Sequence, residues 1–185
     1  SPSTVSGFGL SDDIEIEFKN GFPISIDNET LSRKEIITKA NLIAGKHGFG
    51  RIDMIEDRVV GIKSREIYET PGLLLLIKAH KELETLTLTH DLNDFKCSVE
   101  KKWAQLIYQG YWFSPLKNAL DGFIQNTQKA VNGVVKIRLY KGNATVIGRF
   151  SKNNSLYREE LATYSHEDKF NHKNAEGFIY MWGMY

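Results

Sequence analysis

"DIEIEFKNGFPISI", residues 13–26, decides the fold class. Ile14, Ile16 and Phe18 alternate with Asp13, Glu15, Glu17 and Lys19, and after Asn20-Gly21 the period of two resumes with Phe22, Ile24 and Ile26. Residues two apart point to one face of a strand, so each half presents one apolar face. Asn-Gly accepts the positive φ angles of a two-residue turn, and the stretch is predicted to be a β-hairpin. Two more hairpins are expected. Val134–Tyr140 and Ala144–Phe150 flank Lys141-Gly142-Asn143, with Val135, Ile137 and Leu139 against Val146 and Gly148. Arg51–Ile55 and Val59–Lys63 flank Glu56-Asp57-Arg58, with Ile52 and Met54 on one side of the strand and Arg51, Asp53 and Ile55 on the other.

Helical spacing fills the intervals. Ser32 and Glu35 form a capping box, and Ile36, Ile37, Ala40, Ile43 and Ala44 follow until Gly45. Pro71 suits the first turn of a helix running from Leu73 to about Leu88, because a helix start leaves its amide hydrogens unused. Val99–Tyr108 reads as another helix. Ser114-Pro115 opens a third long one, with Leu116, Leu120, Phe123, Ile124, Thr127 and Val131 down its buried face to Asn132-Gly133. Hairpins outnumber any βαβ unit, so the expected class is α+β, a mainly antiparallel sheet packed against several helices.

The 185 residues suffice for one well-cored domain, expected over residues 12–185. Residues 1–11, beginning "SPSTVSGFGL", read as a linker or the cut edge of a longer protein. A net charge of +1 offers no surface for a polyanion, so no nucleic-acid partner is expected. Cys97 is the single cysteine, which excludes an internal disulfide and fits a reducing, cytoplasmic setting. The longest purely apolar run, Leu73–Ile77, is far short of a membrane span, and no membrane partner or export signal is expected.

Few residues offer chemistry on their own. His47 is a lone loop histidine, and His80, His90, His166 and His172 lack metal-ligand spacing, so no metal site is expected. Gly48-Phe49-Gly50 lacks the remainder of a phosphate loop and precedes a strand, not a helix. Trp103, Tyr108, Tyr111, Trp112 and Phe113 are expected to pack in a core or interface. No catalytic residue is assigned. The segment "GRIDMIEDRVVGIKSREIYETPG", residues 50–72, is different, because it crowds charges into strands. Glu56 falls at the expected hairpin tip and Tyr68 just past the return strand. A carboxylate and a phenol that converge can hold an amino acid's ammonium group. The plainer alternative is that the charges pair across an exposed sheet face.

The stretch "HGFGRIDMIEDRVVGIKSREIYETPG", residues 47–72, resembles the signature of the argininosuccinate synthase family. The likeness continues through "YQGYWFSPL" (108–116), "VVKIRLYKGNATVIGR" (134–149), "SLYREELATY" (155–164) and "NAEGFI" (174–179), covering about residues 12–183 in unbroken order. The resemblance implies an ATP-dependent carbon–nitrogen ligase of arginine biosynthesis, joining citrulline to aspartate with release of AMP and diphosphate. It implies a homotetramer, ATP as co-substrate and Mg2+ on the nucleotide. The family's Ser-Gly-Gly-x-Asp-x-Ser pyrophosphate loop does not occur between Ser1 and Tyr185, so the likeness is to the C-terminal synthetase and oligomerisation portion. Glu56 and Tyr68 match the family's citrulline ligands; the nucleotide and aspartate contacts would lie outside this chain. A stand-alone oligomerisation module without catalysis is the alternative. The sequence departs from the family at Glu66, where a glycine is usual, which removes any positive φ and adds a charge two residues from Tyr68. It also stops at "GFIYMWGMY", where family members usually continue into a tail helix.

Overall fold

Asn20 and Gly21 both take positive φ, 49° and 75°, and join β1 (Asp12–Lys19) to β2 (Phe22–Ile26) in the two-residue turn their sequence predicts. The computed structural model describes residues 10–161 and 169–184. His166 and most of the 1–11 segment lie outside the described residues. Those up to Ser155 form one compact unit, and those from Leu156 onward form a second.

The first unit is built on a five-stranded sheet of order β3-β2-β1-β6-β7, antiparallel throughout. β3 is the two-residue Glu29–Thr30; β6 (Gly133–Tyr140) and β7 (Asn143–Phe150) are the C-terminal hairpin. The chain is thus α+β, with a β1–β6 pairing that brings residues more than 110 positions apart into register. Ile14, Ile16 and Phe18 of β1 and Val135, Ile137 and Leu139 of β6 are buried on one face. The other face carries charge pairs directly opposite one another, Asp13 with Arg138 and Glu15 with Lys136.

α1 (Arg33–Lys46) and α2 (Pro71–Thr87) cover the apolar face. The Ser32–Glu35 capping box opens α1: Glu35 N–H donates to Ser32 Oγ, and Ser32 N–H donates to Glu35 Oε2 at 2.9 Å. Ile36, Ala40 and Ala44 of α1 and Leu75, Ala79 and Leu83 of α2 are fully buried. Each large side chain removed from water contributes about 1.5–3 kcal/mol, so this layer dominates the stability of the unit.

α3 spans His90–Tyr108, nine residues longer at its start than expected. The missed turns carry the helix's only fully buried large polar side chain, Lys96, at a position where periodicity seeks an apolar residue. α4 (Pro115–Gln128) ends three residues before Val131; Ser114 caps it by accepting from Lys117 N–H. Trp103 of α3 donates to Asp121 of α4 at 2.8 Å, and Lys117 reaches the other oxygen of that carboxylate. Of the five aromatics expected to pack in a core or interface, Trp103 is half-buried, and Tyr108, Tyr111, Trp112 and Phe113 are exposed on this chain, Phe113 at 93%. In the second unit, Lys173–Trp182 forms a helix, α5.

The hairpin at 51–69 differs from its expected register. β4 is Arg51–Asp57 and β5 is Lys63–Glu69, joined by a turn over Arg58–Ile62. Arg58 N–H donates to Ile62 O at 2.8 Å and Gly61 N–H to Arg58 O at 2.9 Å. Val59 and Val60, β-branched and apolar, read as strand but sit in the exposed turn. Glu56 is therefore within β4 rather than at the tip, and Tyr68 is within β5 rather than past it.

Candidate functional site

The corrected register answers why so many charges enter one hairpin. Directly opposite residues share a face: Arg51 with Glu69, Asp53 with Ile67, Ile55 with Arg65 and Asp57 with Lys63 on one side. All eight are exposed. Arg51 pairs with Glu69 at 2.9 Å, Lys63 with Asp57, and Arg65 diagonally with Asp53 through two hydrogen bonds. Paired charges on a water-facing surface are solvated and contribute little. The plainer reading holds for this face.

The other face carries Ile52 opposite Tyr68, Met54 opposite Glu66 and Glu56 opposite Ser64. Glu56 and Tyr68 lie on one face but four residues apart along the ladder, about 13 Å of strand. Their long side chains close that gap, and Tyr68 Oη donates to Glu56 Oε2 at 2.5 Å. A second phenol arrives from α3. Tyr108 Oη donates to Glu56 Oε1 at 2.9 Å and lies 3.2 Å from the carbonyl oxygen of Asp57.

Both carboxylate oxygens thus accept from phenols. The hydrogen bond from Tyr68, then that from Tyr108, holds the Glu56 carboxyl below the usual glutamate range, aided by the charge of Arg58. The same bonds push both phenols up, since losing a proton would place phenolate beside carboxylate. At neutral pH the trio is one carboxylate held by two protonated phenols. Each phenol spends its proton on Glu56 and keeps acceptor lone pairs.

Glu66 fits without strain. It lies in regular strand opposite Met54, and its carboxylate accepts from Arg58 Nη1 at 3.1 Å. Extended backbone suits any residue, so the expected cost of replacing a glycine does not arise here. Across the ladder from Glu56, Ser64 Oγ is the one buried side-chain polar atom lacking a hydrogen-bond partner among the described residues.

Loop packing sets where the hairpin starts. His47 is buried, with Nε2 2.9 Å from Asp12 Oδ2, and its carbonyl accepts from Gly142 N–H at 2.7 Å. Lys46 first and His47 second hold the Asp12 carboxyl below its usual range. His47 is thus a structural anchor between α1 and the sheet. Gly50, at φ 103°, passes so close to Pro71 that a Cβ would lie 2.2 Å from its Cα. A cleft of about 280 Å³ opens beside this contact, lined by Asn41, Phe49, Arg51, Glu69 and Pro71 and by neither Glu56 nor Tyr68. Among the described residues no group of three or more His, Cys, Asp or Glu could hold a metal ion, and no helix is long and apolar enough to cross a membrane.

Sequence reasoning brought Glu56 and Tyr68 forward and missed Tyr108, which it left among the packing aromatics. The available signal was position. Tyr108 is the last residue of α3, two positions before Gly110, which takes φ 82°.

The family model described as arginosuccinate synthase C-terminal domain matches residues 5–185. A protein named argininosuccinate synthase from Prochlorococcus marinus subsp. pastoris (strain CCMP1986 / NIES-2087 / MED4) is 77% identical over 172 residues, covering 93% of this chain. Proteins of the same name from P. marinus strains MIT 9301 and NATL1A are 75% and 65% identical over 93% and 92% of the chain. The chain spans 43% of the length of each of these relatives. Matched from residue 5 to its end, the chain belongs to the argininosuccinate synthase C-terminal domain family.

Proposed function

We propose that this chain supplies the citrulline-binding wall of an argininosuccinate synthase, a cytoplasmic ligase of arginine biosynthesis. One observation carries the reading. Glu56 and Tyr68, the positions that match the family's citrulline ligands, meet at 2.5 Å although twelve residues separate them. Glu56 takes the α-ammonium of citrulline by charge-assisted hydrogen bonds, and Tyr68 fixes the orientation of the carboxylate that does so. In the complete reaction the ureido oxygen of citrulline attacks the α-phosphate of ATP with release of diphosphate, and the amine of aspartate then displaces AMP from the adenylated citrulline. Nucleotide and aspartate contacts belong to the portion of the relatives that this chain does not span. Mg2+ would travel with the nucleotide, and no residue of this chain is assigned to it.

Holding the amino acid end rigidly is what this wall contributes to rate, since a near-attack geometry converts bound substrate into an effectively unimolecular reactant. The test joins this chain to the remaining portion of the P. marinus relative and follows AMP release dependent on ATP, citrulline and aspartate. Glu56→Ala is expected to lower kcat/KM for citrulline by roughly a hundredfold and leave KM for ATP nearly unchanged. An unchanged citrulline KM would remove the reading. A second role is favoured by the exposed Tyr111, Trp112 and Phe113, which suit a contact between copies of the chain in a homotetramer.

A further inference from the structure

One carboxylate and two phenols meet in this site. Glu56 offers a carboxylate, and Tyr68 and Tyr108 donate to its two oxygens, Oε2 at 2.5 Å and Oε1 at 2.9 Å. A phenol that donates still accepts, so each Oη retains lone pairs beside the carboxylate. A primary ammonium has three N–H donors and no acceptor. We infer that Tyr108 is a third binding residue, completing a carboxylate–phenol–phenol cradle that selects a primary α-ammonium over an N-alkylated one. This rests on the proposed reading of Glu56 and Tyr68 and adds to it the residue that sets amine selectivity.

The chemistry separates selection from attraction. Glu56 attracts any cationic amine by charge. A secondary ammonium brings only two N–H groups, so its alkyl group must face one of the three acceptors, leaving a polar atom unpaired. Tyr108 comes from α3 and the other two from the hairpin. Its hydroxyl proton is committed to Glu56, and that bond tethers the ring at the end of β4. The cradle is therefore set before an amine arrives, and little ordering is needed on binding.

The experiment compares citrulline with Nα-methylcitrulline in the complete enzyme assembled as above. The unsubstituted site is expected to prefer citrulline by about tenfold or more. In Tyr108→Phe, affinity for citrulline falls by about tenfold, and the preference over the methylated amine shrinks to about threefold or less, because the ring edge now tolerates a methyl group. A tether that only positions the hairpin would weaken both ligands equally; an unchanged ratio overturns the inference. Should the substituted enzyme fold poorly, ring-carbon NMR of the unsubstituted protein decides, with citrulline expected to shift both the Tyr68 and Tyr108 signals. A shift at Tyr68 alone overturns it. Glu56→Gln serves as the separate control. If it leaves citrulline binding intact the underlying reading fails, whereas a loss there with an unchanged Tyr108→Phe ratio removes only the third acceptor.

Discussion

Glu56 is held ionised by two neutral neighbours, and that fixes how it responds to acid. Its folded-state pKa lies below the ordinary 4.5, with Tyr68 the larger cause and Tyr108 the second. A depressed carboxyl contributes stability that is fully present above the unfolded value and is lost as pH falls through the folded one. Carboxyl-carbon NMR should therefore place the Glu56 midpoint below the ordinary glutamate value. Tyr68→Phe should raise it toward the ordinary value, further than Tyr108→Phe does. The pair was visible in the sequence because both residue types stood out against strand periodicity. The contact was not, since it depends on a ladder register in which Val59 and Val60 form a turn. Nor was Tyr108, whose chemistry is set by a partner 52 residues away.

At the scale of elements, α2 and α3 are joined by a buried polar seam. Lys96 Nζ, 1% exposed, reaches Glu84 at 2.8 Å and also Glu100, while Gln128 donates to the same Glu84 oxygen at 2.7 Å. Desolvation pulls the Lys96 ammonium down, but the two carboxylates outweigh it and its pKa is raised. Lys96→Ala strands the Glu84 carboxylate in the interior and is expected to cost about 3–5 kcal/mol in urea unfolding. Lys96→Met combined with Glu84→Gln should recover most of that, because a neutral amide still accepts from Gln128. Arg65→Ala on the exposed hairpin face should leave the unfolding midpoint unchanged within error. The same contrast explains what the sequence concealed. Hydrophobic period located α1, α2 and the two sheet hairpins, whose stability is apolar burial. It missed the first half of α3, where Lys96 occupies the inward position.

For the whole molecule, most of the first unit's architecture follows from alternation and caps: five antiparallel strands with two helices on one face. The pairing of β1 with β6 could not be read locally, because a ladder between residues 12–18 and 133–139 is decided by what else can complete the sheet. Surface composition gives the prediction at this scale. If the exposed aromatics after α3 serve contact between copies, sedimentation of the chain at high concentration should show association. Trp112→Glu with Phe113→Glu should return it to monomer without lowering the Tm. A strictly monomeric chain before substitution would count against an assembly role.

The Lys96 seam also acts as an angular lock. Apolar contacts alone let a helix roll about its axis with little penalty, whereas the Lys96 ammonium of α3 seated on the buried Glu84 of α2 favours one azimuth. Tyr108 sits twelve residues further along the same helix, about 18 Å away. A roll of α3 by a single residue would turn its hydroxyl through about 100° and off the Glu56 oxygen. Substitutions at Lys96 mild enough to preserve the fold should therefore be felt at the amine cradle, where no atom of Lys96 is present.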